Sequence, residues 1–300
     1  MQEAVVQQTI IKEKPTVENV TYRNDVLKIL AMLTMLIDHF GALYFPREMM
    51  YRTIGRLAFP IFAYQIAIGY SKTSNKKKYV TRLFIFALIS QIPYSFMNPN
   101  LNFRPLRLNV LFMFLVALGV LYLYDMSVKY IKDFWYKKNY KALLLGILMF
   151  AATLALVISP EIVILYVNGF NLEYNSLGLA LVLLFYVFRN NKSAAIYSII
   201  ALYFIQGCYS SVRYAFGRSS FRFVEYLFDF KYIWDRITRN NDLFLLKGTF
   251  FNARGLLALI PVYRLSKVEL SSIRLNKYVG YIFYPAHLAV LLLGLLIFRQ

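Results

Sequence analysis

The chain has 300 residues, of which 59% are apolar or aromatic and 16% charged, a balance that excludes a soluble domain, a disordered chain and a disulfide scaffold. Its apolar residues fall into stretches of about 20, the length at which a helix rising 1.5 Å per residue crosses a hydrocarbon core of about 30 Å, so the sequence reads as an integral membrane protein. The 34 Lys and Arg against 15 Asp and Glu give a net charge of +19, but they gather in alternate short loops, which is an orientation signal, and no basic helix offers a nucleic-acid surface.

Residues 1–24 are polar and predict a mobile cytoplasmic tail without the apolar core of a signal peptide. The first span, near 26–45, is then an uncleaved anchor, followed by the short turn PREMM. Further spans are expected near 51–70, 83–97, 108–125, 142–159, 174–188, 194–212, 243–263 and 278–298. That makes nine, and an aromatic-rich interfacial or re-entrant helix near 221–234 would make ten. With the amino terminus in the cytoplasm, the inner loops 71–82, 126–141, 189–193 and 264–277 hold 5, 5, 2 and 4 Lys or Arg, against 2 and 0 in the outer loops 98–107 and 160–173. Such an asymmetry fits a multi-pass protein of the cell membrane with a cytoplasmic amino terminus. The expected fold is all-α, with several helices kinked by proline around a polar cavity.

Ionisable groups inside a bilayer cost about 2.5–3.5 kcal/mol each on the lenient insertion scale, so each needs a partner or a task. The first two spans carry Asp38, His39, Arg52 and Arg56, and the last ones carry Arg254 and His287. With the turn centred near Glu48, His39 lies nine positions before it and Arg56 eight after, which places them at similar depth across one hairpin. Arg52 and Arg56 share a helix face, whereas Asp38 and His39 point about 100° apart; Asp38 is therefore expected to hold Arg56 while His39 faces a cavity. A plain structural role, with Asp38 and Arg56 as a buried pair and His39 as a spacer between helices, is the competing interpretation. Pro60, Pro93, Pro261 and Pro285 each sit inside an expected span, and Pro285 stands two residues before His287. The single Cys208 reads as a packing residue, and no His pair or carboxylate cluster has metal-ligand spacing, so no metal is expected.

The strings LKILAMLTMLIDHFGALYFP, YRTIGRLAFPIFAYQIAIGYSKTSNKKKYVTRLFIFALISQIPYSF, RLNVLFMF and KYVGYIFYPAHLAVLLL closely resemble the TraX family, named for a conjugative-plasmid protein that acetylates the amino terminus of pilin. The resemblance runs from about residue 25 to the carboxyl end and is most specific in the first 115 and last 20 residues. It implies one transmembrane TraX-like acyltransferase domain over 25–300, with an interfacial or extracytoplasmic insertion near 213–242. The family is similar in turn to the wider transmembrane acyltransferases, which move acetyl groups from cytoplasmic acetyl-CoA to acceptors at the far face. By that similarity the first-span histidine, His39, serves catalysis, and Arg52 and Arg56 help hold acetyl-CoA. His287 matches the terminal FYPxH pattern. The chain departs from the family in a longer stretch at about 209–247 and in Arg254, both of which bear on the acceptor.

Acetyl transfer from a thioester needs a base for the proton of an incoming amine or hydroxyl, and histidine suits that task. The expected catalytic residues are His39, Asp38 and His287, with Arg52 and Arg56 as donor-binding groups and a surface protein or polysaccharide as acceptor. Adjacent Asp38 is badly placed to orient His39 directly, and an acetyl-His39 intermediate is an open alternative to direct transfer. Two other functions stay open: a proton-coupled transporter or flippase using Asp38, His39 and His287 as a relay, and a non-catalytic assembly factor for surface structures.

Overall fold

The structure is a computed structural model; it describes residues 25–216, Lys231, 253–265, 275–276 and 278–298, so the tail and most of the insertion near 213–242 lie outside the described residues. In chain order the helices are α1 (Asp25–Tyr44), α2 (Met49–Gly55), α3 (Ala58–Lys72), α4 (Lys76–Ser95), α5 (Val110–Lys137), α6 (Tyr140–Tyr166), α7 (Asn175–Val187), α8 (Lys192–Phe216), α9 (Leu259–Leu265) and α10 (Val279–Phe298). A 3-10 turn (Arg254–Ala258) leads into α9, and two two-residue strands, β1 (Arg107–Leu108) and β2 (Asn171–Leu172), lie in loops. The protein is thus all-α, as expected, with five described helices long and apolar enough to cross a membrane: α1, α5, α6, α10 and residues Lys192–Ser210 of α8.

The second expected span is two helices. Pro60 has no N–H to give the Arg56 carbonyl, and its ring crowds that carbonyl, so the helix breaks at Arg56 and Leu57 and restarts at Ala58. Elsewhere short side chains set the ends. Asn75 caps α4, Asn109 caps α5 and Asn139 caps α6, each accepting from an N–H of the first turn. Between α5 and α6, Lys138 takes the left-handed conformation that closes the tight hairpin.

The core gathers α1, α3, α4, α5, α7 and α10, with Leu27, Ile61, Leu83, Met113, Leu121, Phe185 and Leu288 essentially inaccessible. By contrast α6 shows Leu144, Ile147, Leu148, Leu154, Ile158 and Ile162 on its surface, the pattern of a helix that faces lipid on one side. In lipid such a core is held by close packing and internal hydrogen bonds, since apolar side chains gain nothing by leaving water there. Two polar knots tie the ends. At one, Asp125 of α5 accepts from Tyr70 of α3, Tyr186 of α7 and Lys76 of α4, at 3.2, 2.7 and 3.2 Å.

At the other, the fully buried Asn109 amide donates to the Ala87 carbonyl and the Gln91 side chain, while Gln91 donates to the Arg107 carbonyl at 2.7 Å. This anchors β1, which pairs in parallel with β2 in the register Arg107 to Asn171 and Leu108 to Leu172. The pairing carries the residue after β2, Glu173, over the end of the bundle. Helices α1 and α10 run parallel: Asp25 accepts from the Leu275 N–H at one end, and Tyr44 donates to the Leu291 carbonyl at the other.

Candidate active site

The α1–α2 hairpin closes through glycine. A Cβ at Gly41 would collide with Tyr51, and one at Gly55 with the Asp38 carboxylate, so these positions let α2 lie directly on α1. Gly55, not Arg56, is therefore the backbone neighbour of Asp38. Arg52 stands one turn back towards the hairpin on the same side, and its long side chain spans that turn: Nη1 meets Asp38 Oδ2 at 2.6 Å. The expected Asp38–Arg56 pair is thus corrected to Asp38–Arg52, with Arg56 near enough for its charge to act on the carboxylate. The break before Pro60 is the physical reason, because an unbroken second helix would keep Arg56 in step with the span.

Parallel packing of α1 on α10 brings the two histidines of the chain together across 248 residues. His39 Nδ1 lies 2.7 Å from His287 Nε2, and the rings are nearly coplanar in orientation with centroids 5.0 Å apart. His287 Nδ1 in turn lies 2.7 Å from the Phe283 carbonyl oxygen. A carbonyl only accepts, so His287 must donate from Nδ1; a neutral His287 then accepts at Nε2, and His39 must donate from its own Nδ1. The remaining nitrogen, His39 Nε2, is left with its lone pair. These two contacts therefore fix the tautomer of a neutral pair and present one basic nitrogen.

His39 and Asp38 line a small cavity of about 30 Å³ with Met35, Phe59, Phe62, Tyr94, Glu173, Tyr174 and Tyr284 around them. Tyr174, itself in the left-handed conformation, stacks on Phe59 with ring centroids 3.6 Å apart. Glu173 accepts from the Tyr94 hydroxyl and faces Arg107 at 3.6 Å. Burial pushes the Glu173 carboxyl up to about 7, against the opposing pull of the Arg52 charge. A second, larger cavity of about 560 Å³ lies towards the Asp25 end and is bordered by Lys28, Lys72 and Arg82 as well as Phe62, Phe114 and Tyr281.

Of the residues singled out by sequence, His39, His287, Asp38, Arg52 and Arg56 converge on this end of α1. Arg254 lies apart from the histidines, donating to Thr53 Oγ1 at 2.6 Å. Glu173, Tyr94 and Arg107 escaped sequence reasoning: they sit in or beside loops, and only the β1–β2 pairing brings them in. Among the described residues no group of three His, Cys, Asp or Glu is placed to hold a metal ion.

Comparison with known proteins gives a family match over nearly the whole chain: the family described as TraX protein matches residues 23–295. A protein of Rickettsia prowazekii (strain Madrid E), described as uncharacterized, is 39% identical over 75 residues, covering 25% of this chain and 28% of that protein. The probable fimbrial assembly protein FimC, serogroup H1, of Dichelobacter nodosus is 31% identical over 111 residues, covering 33% of this chain and 46% of its own length. The matches therefore span less than half of either relative. No solved structure shows significant similarity to the chain.

Proposed function

Since the chain belongs to the TraX family, we propose that it is a membrane acetyltransferase that moves an acetyl group from cytoplasmic acetyl-CoA to an amine or hydroxyl of a cell-surface protein or polysaccharide. The observation that carries this reading is the His39–His287–Phe283 chain, which leaves His39 Nε2 as a base at a small cavity whose Asp38 is paired with Arg52. The name of the Dichelobacter relative, a probable fimbrial assembly protein, supports a surface structure as the destination.

In the proposed reaction, His39 Nε2 takes the proton from the acceptor as its nitrogen or oxygen attacks the thioester carbonyl carbon. The tetrahedral intermediate places a negative charge on the former carbonyl oxygen, near which Arg52 and Arg56 supply positive charge. The carbon–sulfur bond then breaks, the electron pair leaves on sulfur, and the proton held by His39 passes to the thiolate. Throughout, His39 Nδ1–H keeps its bond to His287, so the imidazolium formed midway retains an acceptor. Asp38 holds Arg52 in place rather than orienting His39.

The larger cavity suits the donor. It is mostly apolar, its Lys28, Lys72 and Arg82 offer charge to phosphates, and it lies at the end of the bundle next to the basic segment 71–82. A proton relay is less well supported, because beyond His287 the hydrogen bond ends on a backbone carbonyl that has no proton to pass on.

The test is release of free CoA thiol from acetyl-CoA by detergent-purified protein beside His39→Ala of matched thermal stability. Turnover that falls by about 10²–10⁴ in the variant, with acetyl-CoA still raising the melting temperature of both, is the expected result. Absence of both turnover and stabilisation in the wild type would overturn the proposal.

A further inference from the structure

The two cavities share a wall. On α2 and α3 the lining residues follow one another at helical spacing, Gly55, Ala58, Phe59 and Phe62 around the small cavity, then Phe62, Gln65, Ile66, Gly69, Lys72 and Thr73 around the large one. Helix α1 does the same, with Lys28 in the large cavity and Met35, Asp38 and His39 in the small, and so does α10, with Tyr281 and then Tyr284. The same helix faces thus line both cavities, with Lys72 and Phe62 about 15 Å apart along α3 by helical rise. Phe62 is the residue common to both linings and stands between the two cavities.

The chamber beyond Phe62 has about 30 Å³ of open space. A cavity of that size admits only a small group of a few heavy atoms. That is the size of an acetyl group.

We propose that Phe62 is the residue that closes the passage to His39 and limits the transferred acyl group to acetyl. This rests on the acetyltransferase reading of the same site. The donor arm lies in the large cavity, and the Phe62 ring turns aside far enough for a two-carbon acyl group to pass; a longer chain has no room for its further carbons. Phe62 is partly exposed while its neighbours Ile61 and Ala63 are fully buried, and it borders open space on both sides. The closed ring also keeps water at the basic nitrogen apart from a waiting thioester.

Two measurements on purified Phe62→Ala and the milder Phe62→Leu test this. The first compares thiol release from acetyl-, propionyl- and butyryl-CoA. Wild type is expected to prefer acetyl over propionyl by about tenfold or more, since one methylene at a closed pocket discriminates to that extent, and the preference is expected to collapse in Phe62→Ala. The second needs no turnover: diethyl pyrocarbonate carbethoxylates imidazole nitrogen with loss of ethanol and carbon dioxide, and the His39 peptide is followed by mass spectrometry. Faster modification of His39 in Phe62→Ala than in wild type, with Phe62→Leu between, is the expected order. Unchanged acyl preference and unchanged His39 reactivity in either folded variant would overturn the proposal. Absence of turnover in the wild type would remove the acetyltransferase reading and acyl selection with it, while the carbethoxylation rates still decide whether Phe62 is the barrier.

Discussion

At the scale of the residue, the site turns on which nitrogen of His39 is bare, and that is decided by His287. In the proposed reaction His287 touches His39 and not the reacting atoms, which makes it a positioning residue. Its replacement in His287→Ala is expected to lower thiol release by about 10²-fold with acetyl-CoA stabilisation of the fold intact, and added imidazole should restore part of the rate. A loss of donor stabilisation without rescue would mark a purely structural role. Glu173 supplies a pH signature of its own. Its carboxyl is held up to about 7 by burial against an ordinary value of 4.5, so the folded chain favours the neutral form. The folded state binds the extra proton between those two values. Stability therefore falls as pH rises through that window, and above it the ionised carboxylate costs up to about 3 kcal/mol. Glu173→Gln should flatten the dependence of melting temperature on pH between 5 and 8 and raise it at the alkaline end. An unchanged profile would show that Glu173 does not titrate there. The sequence identified both histidines as costly intramembrane groups, but nothing in the spacing of residues 248 apart tells that they touch. Glu173 was invisible as a site residue because its placement depends on a two-residue strand pairing.

At the scale of the element, the five long apolar helices among the described residues were legible from apolar length, whereas the caps at Asn75, Asn109 and Asn139 came from the structure. The break between α2 and α3 was half legible. Pro60 was expected to kink its span, yet the consequence, an exchange of Arg56 for Arg52 as the partner of Asp38, needs the geometry of Gly55 against α1. Gly55→Ala should push the carboxylate from its place and reduce turnover together with stability, whereas Arg52→Lys, which keeps charge but loses the planar fork, should spare stability more than rate. Melting temperature and thiol release on the same preparations separate the two. Asn109 anchors the opposite loop with a buried amide, and Asn109→Ala leaves Gln91 and the Ala87 carbonyl short of a partner. A loss of about 2 kcal/mol is expected, read from thermal or denaturant unfolding in detergent.

At the scale of the whole molecule, the asymmetric loop charge and the position of the large cavity make a joint statement about sidedness. Segment 71–82, with its five Lys and Arg, and the mouth near Lys28 and Lys72 belong to the same end of the bundle. In a Cys208→Ser background, an impermeant maleimide should label Asn100→Cys in intact cells and Ser74→Cys only after permeabilisation. The reverse pattern would put the donor cavity on the wrong side for a cytoplasmic thioester. Overall architecture was readable because membrane spans must satisfy their own backbone and so announce themselves in composition. The two adjoining cavities were not, since they depend on which faces of α1, α3 and α10 meet.

The most direct measurement of the central claim uses sealed membrane vesicles and acetyl-CoA labelled in the acetyl group, supplied to the face that carries residues 71–82. Label appearing on a protein or polysaccharide at the opposite face with wild type, and absent with folded His39→Ala, is the predicted result. Label transferred equally by both proteins, or by neither while wild type binds acetyl-CoA, would contradict the account.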